Sequence, residues 1–229
     1  MMAAKRKLTE IPVDAEVISP EQALKYQTDL IREWPNLREV SALRFGVVIL
    51  SGIAAASGSY LNTHFRRKLK LGKIGFASTY LPIVALPAMA AAGIHKLKIS
   101  NKVLLEDFDC PLCLQAQAAI AQVFCGFVYP TVLGALGTFM YATRAATYRL
   151  PDVFHGLQGP IQVVTRLCKP IRTQLTILLI GQALSAAWIT DREIKSYCQV
   201  KAHMAKVEEE YDREYDQGDS EERFLSFKD

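Results

Sequence analysis

Cys110 and Cys113, in the string DFDCPLC at 107–113, are the pair in this chain whose type and spacing allow chemistry. Two thiols separated by two residues can close a disulfide, exchange with another disulfide, or supply half of a tetrahedral metal site. A structural metal needs four ligands, and His95 is the one imidazole nearby; Cys125, Cys168 and Cys198 are scattered along the rest of the chain. The pair therefore reads as a local disulfide, a redox pair or idle thiols. No catalytic residue, cofactor site or metal site is predicted. No HExxH helix, phosphate-binding glycine loop or linked Ser, His and acid arrangement accompanies the pair.

The elements that must position these thiols are apolar. Residues 45–63 carry no formal charge and end in the basic run Arg66, Arg67, Lys68. As a helix those residues span roughly 28 Å, close to the hydrocarbon core of a bilayer. Residues 74–94 form a second block, with Pro82 and Pro87 inside it, where a kink is expected and not an end. Residues 114–142 form a third, usable as a span from about Ala118 onward, and 173–190 a fourth, with Trp188 near one end as an interfacial ring. A soluble all-α core would have to enclose all four blocks within 229 residues. Lipid is the simpler solvent. Gly52, Ala56 and Ser59 are expected to form a close-approach face on the first span, and Gly134, Gly137 and Thr138 one on the third. With no charge inside any block, a proton relay or coupled ion path is disfavoured.

The fold class is thus all-α: a multi-pass membrane protein with four transmembrane helices, a short N-terminal helix and an acidic C-terminal tail. Its regions are 1–44, charged with a short amphipathic helix; 45–190, the spans; and 191–229, charged and largely acidic. Ser19 with Gln22 spells a capping box, and Pro35 stops the helix after Trp34. Ala23, Tyr26, Leu30 and Trp34 form its apolar stripe, suited either to an interface or partner or to the protein's own bundle. At the other end the fourth helix is expected to run briefly through Met204 and Val207, and then to give way to a mobile acidic segment. Half of the residues are hydrophobic, which excludes overall disorder, and a net charge of +4 without a continuous basic stripe excludes a nucleic-acid partner.

Loop charge orients the spans. Residues 64–73 hold five basic residues and no acid, and 143–172 hold five with Asp152 alone opposing them; 95–115 hold three of each sign. The basic loops belong on the side of synthesis or the mitochondrial matrix, which puts both termini and the cysteine loop on the other side. The N-terminus lacks the acid-free Arg-rich pattern of a matrix presequence and a hydrophobic signal core.

The order of these features resembles the transmembrane protein 126 family. A span ends before HFRR at 64–67, a second follows, DFDCPLC occupies 107–113, YP falls at Tyr129 and Pro130, and CKP at 168–170 introduces the last span. The resemblance implies a multi-pass protein of the inner mitochondrial membrane; in that membrane the loop charges put both termini in the intermembrane space. It also implies an assembly factor or scaffold for the membrane arm of respiratory complex I, without catalysis. The implied partners are complex I membrane-arm subunits, other complex I assembly factors and inner-membrane lipids. On this reading Arg66, Arg67, Lys68 and Arg172 set orientation and contact lipid, and Tyr129 with Pro130 shape an intramembrane partner surface. The alternatives are a thiol redox protein using Cys110 and Cys113, and a small channel or transporter formed in an oligomer.

Tags at both ends test the orientation. Proteolysis is expected only after rupture of the outer membrane; protection until the inner membrane opens reverses the topology.

Overall fold

The computed structural model describes residues 18–147 and 158–226, and among them every regular element is a helix. Helix α1, Pro20–Glu33, starts on the expected box: the Ser19 hydroxyl accepts from the Gln22 N–H at 3.3 Å while Gln22 Oε1 accepts from the Ser19 N–H at 3.0 Å. It docks on its own bundle. The Arg44 guanidinium donates to the Ile31 carbonyl at 2.7 and 3.0 Å and to the Trp34 carbonyl at 3.3 Å, capping the end of α1 against the next helix. That clamp turns Gln27, Ile31 and Trp34 inward; of the expected stripe only Trp34 is buried, Ala23 and Leu30 are half-buried and Tyr26 is exposed.

Helix α2, Leu37–Lys68, is followed by α3, Phe76–Leu104, by α4, Pro111–Arg144, by the short α5, Gln158–Cys168, and, after a tight 3₁₀ turn at Lys169–Ile171, by α6, Arg172–Ser226. Among the described residues four helices are long and apolar enough to cross a membrane: α2, α3, α4 and a stretch that includes the first part of α6. Their ends differ from the charge-free blocks. Helix α3 continues beyond Ile94 to Leu104 and α4 begins at Pro111, so the cysteine loop shrinks to 105–110. Charge marks where the hydrocarbon stops; long Lys side chains let the helical hydrogen bonding continue past that point. Helix α6 also continues past Val207. It stays helical to Ser226, with an i,i+4 ion pair between Glu209 and Arg213.

The prolines bend α3 without ending it. Pro82 lies within a wider π-helical turn, Leu81–Ala85, and Pro87 follows two residues after it. A second π turn occupies His95–Ser100, and α4 has one at Phe124–Val128, just before Pro130. Helices α2, α3 and α4 each close on a left-handed non-glycine residue, Lys70, Glu106 and Ala146, whose successors donate back into the last helical turn.

Helix α2 is the axis of the bundle, packing against α3, α4 and α6. One apolar core lies toward the α1 end: Ile31, Trp34, Val40, Leu43 and Leu50 meet Ile99, Val103, Leu114, Ile189 and Tyr197. A second lies at the opposite end, where Leu61, Phe65 and Leu69 meet Ala135, Phe139 and Leu167. Between them α2 approaches α3 at Gly58. A Cβ there would stand 2.7 Å from the Ile83 carbonyl oxygen, which Pro87, four residues on and lacking an N–H, leaves without its helical donor. Gly52 faces open space and Ala56 is exposed, so the expected face through Gly52, Ala56 and Ser59 is replaced by one through Gly46, Ala54 and Gly58. On α4, Gly134 and Thr138 do face inward.

Gly58→Ala is expected to destabilise the protein by roughly 1–3 kcal/mol, because backbone must move, and Gly52→Ala to cost nothing and to stabilise it by up to about 1 kcal/mol. Thermal unfolding of both variants in detergent measures the difference.

Candidate functional site

Three polar assemblies hold the bundle together, and each begins with a residue that cannot be left unpartnered in hydrocarbon. The first sits at mid-span. Pro130 offers no N–H to the Gly126 carbonyl four residues earlier, and the Ser57 hydroxyl of α2 donates to that carbonyl instead. Gln182 Nε2 of α6 donates to Ser57 Oγ at 2.8 Å and to the Ile53 carbonyl at 3.3 Å. Gln122 Nε2 of α4 donates to Gln182 Oε1 at 2.8 Å and to the Leu50 carbonyl at 2.9 Å. Glycine at 126 makes the room, since a Cβ would fall 2.5 Å from the Gln182 amide. Three helices are thereby joined by side chains that are all buried. Hydrogen bonds of this kind in membrane proteins average about 0.6 kcal/mol each, so their number sets register more than any single one sets stability.

The second assembly corrects an expectation drawn from the sequence. Glu193 is fully buried and accepts from His95 Nε2 and Ser100 Oγ, both at 3.2 Å. Ending the blocks at Ile94 and Thr190 placed these residues outside the spans; the helices run on, and His95 and Glu193 meet inside. In an α-helix, residues five apart diverge by about 140°. The π turn at His95–Ser100 brings them onto one carboxylate. Gly46 gives that carboxylate its space, for a Cβ there would stand 2.9 Å from Glu193 Oε1.

The third assembly is Arg66. Its guanidinium donates to the carbonyls of Gly72 at 2.7 Å, Ile74 at 2.9 Å and Gly75 at 3.3 Å, and to Thr79 Oγ1 at 2.9 Å, and it lies 5.3 Å from the Phe76 ring centroid. The turn between α2 and α3 is wound around this cation. Gly72 and Gly75, both at positive φ, supply the left-handed corners. Arg66 is therefore buried inside its own turn and does not present its guanidinium to lipid, whereas Arg67, Lys68 and Arg172 are exposed. Pro130 is also buried, and Tyr129 half-buried; Pro130 has an internal role, freeing the carbonyl that Ser57 takes.

Cys110 is the N-cap of α4, and its sulfur accepts from the Cys113 N–H at 3.3 Å. Both are free thiols here, Cys113 exposed. A hydrogen bond from the Cys113 thiol, with a further one from its backbone N–H, holds the Cys110 thiol below the usual thiol range. Among the described residues no group of three or more His, Cys, Asp or Glu side chains gathers around one point as metal ligands would. The amide cluster went unread in the sequence although Gln182, in the middle of TILLIGQALSAAW, carried a signal: a mid-span amide has to find a partner.

The family model of transmembrane protein 126 matches residues 25–207, which takes in α2, α3, α4, α5 and the part of α6 that packs on the bundle. The chain belongs to the transmembrane protein 126 family. It is similar to transmembrane protein 126 of Drosophila melanogaster, with 38% identity over 216 residues that cover 94% of this chain and 97% of the relative. No solved structure matches it. As a member of this family, with four helices long and apolar enough to cross a membrane, it is a multi-pass membrane protein. Each of the three assemblies joins or shapes helices.

With its thiol shifted downward, Cys110 carries thiolate at a lower pH than an ordinary cysteine. Alkylation of the folded protein is therefore expected to be faster at Cys110 than at Cys113 at neutral pH, with the gap narrowing as pH rises. Peptide mass spectrometry over a pH series reads both rates; equal rates at neutral pH would contradict the hydrogen-bond geometry.

Proposed function

We propose that this protein is a scaffold of the inner mitochondrial membrane that holds membrane-arm subunits of respiratory complex I during assembly. Membership of the transmembrane protein 126 family over most of the chain is the observation that carries this reading. The physical design supports it. The interior is locked by hydrogen bonds between spans, while the outside offers large apolar side chains to other helices: Val48 and Ile49 on α2, Met89 on α3, Ile120 and Leu136 on α4, and Leu184 on α6. A rigid bundle with such a surface binds hydrophobic subunits without reorganising itself. Exposed Arg67, Lys68 and Arg172 hold its orientation through the positive charge of the matrix-side loops.

Purification of the tagged protein from detergent-treated mitochondria is expected to bring down complex I subunits and assembly factors, and its loss to change the pattern of complex I intermediates on native gels. Absence of both effects rejects the scaffold. The same loss strain decides the thiol alternative: rescue by the Cys110→Ser, Cys113→Ser double variant equal to wild type leaves the pair with no part in assembly.

A further inference from the structure

The end of the bundle bearing the basic loops contains an open cavity of about 510 Å³ between α5 and the start of α6, lined by Thr165, Arg166, Cys168, Lys169, Arg172 and Leu175. Three of these six residues are cations. All three are exposed, and none forms a salt bridge among the described residues. The rest of the wall is largely apolar. Leu175 and Leu179, three and seven residues beyond Arg172, share its face of α6, and Leu179 is exposed. A cluster of cations opening directly onto an apolar helix face has the chemistry of an amphiphile with an anionic head.

We infer that this cavity binds the phosphate-bearing headgroup of an anionic phospholipid. Arg166, Lys169 and Arg172 surround the phosphate, and the acyl chains lie along Leu175 and Leu179. Arginine suits the phosphate because its planar fork donates to two oxygens at once, and Lys169 adds a compact charge. Free inorganic phosphate shares the charge but makes no use of the apolar wall, which favours the lipid. The site adds a fixed lipid position to the general attraction of the basic loops and does not depend on a role in complex I assembly.

Cys168, half-buried in the cavity wall, is the reporter. The full chain is reconstituted in phosphatidylcholine vesicles with and without phosphatidylglycerol, and maleimide labelling of each cysteine is followed by peptide mass spectrometry. Phosphatidylglycerol is expected to slow labelling of Cys168 in a saturable way, and neutralising Arg166, Lys169 or Arg172 to Gln to weaken the apparent lipid affinity by about fivefold per cation. Arg38→Gln, an exposed charge at the other end of α2, controls for general loss of charge and should leave the protection intact. Buried Cys125 reports folding: where a variant exposes it, the wild-type titration still decides. Equal Cys168 rates with and without phosphatidylglycerol overturn the inference. So does full protection in a folded variant lacking all three cations, or equal protection by inorganic phosphate in phosphatidylcholine alone, which would make the cavity a site for a free anion.

Discussion

A carbonyl that loses its helical N–H partner inside hydrocarbon has no water to turn to, and the organisation of this bundle follows from where that happens. Pro130 strips the donor from Gly126, and Ser57 and Gln182 are the groups that approach it. Gln122 then completes the cluster by bridging Gln182 to the backbone of α2. Once these bonds are made, α2, α4 and α6 have one register relative to each other, and the apolar cores at the two ends follow from it. Proline and glycine act here as a pair: one frees the acceptor, the other lets a side chain reach it. The same pairing recurs where Pro87 frees the Ile83 carbonyl and Gly58 brings α2 against it.

Charge is handled differently at each end. Arg66 donates to three carbonyls of the turn that it organises and to the Thr79 hydroxyl, so its cost of burial is offset locally. Glu193 is instead shared between α3 and α6, with Gly46 of α2 opening the space. Breaking either arrangement would leave a buried charge unpaired, which costs far more than the pair contributes. Among the described residues Asn62, fully buried with no hydrogen-bond partner for its amide, and the buried Asn101 Oδ1 are exceptions, and the structure offers no physical account of them. Around these interior contacts the surface remains apolar along the spans and basic at one end, a division suited to a protein whose neighbours are lipid and other membrane helices.

What the residues decided alone was local and compositional. Four charge-free runs of sufficient length demanded helices; Ser19, Gln22 and Pro35 delimited α1 within a residue; the order of short strings marked the family. These signals are readable because length, capping and hydrocarbon solubility depend on neighbours in the chain. The tertiary structure decided which face of each helix turns inward, how far each helix outruns its apolar run, and which polar residues meet. Gln122, Gln182 and Ser57 lie far apart in sequence, and so do His95 and Glu193; their pairing depends on helix register and on π turns that shift side chains by a residue's rotation. Arg66 was equally ambiguous, because a basic residue after a span serves lipid or a turn depending on where the next carbonyls fold. Spacing along one helix cannot encode those positions, since the acceptors belong to other segments that arrive only when the bundle closes.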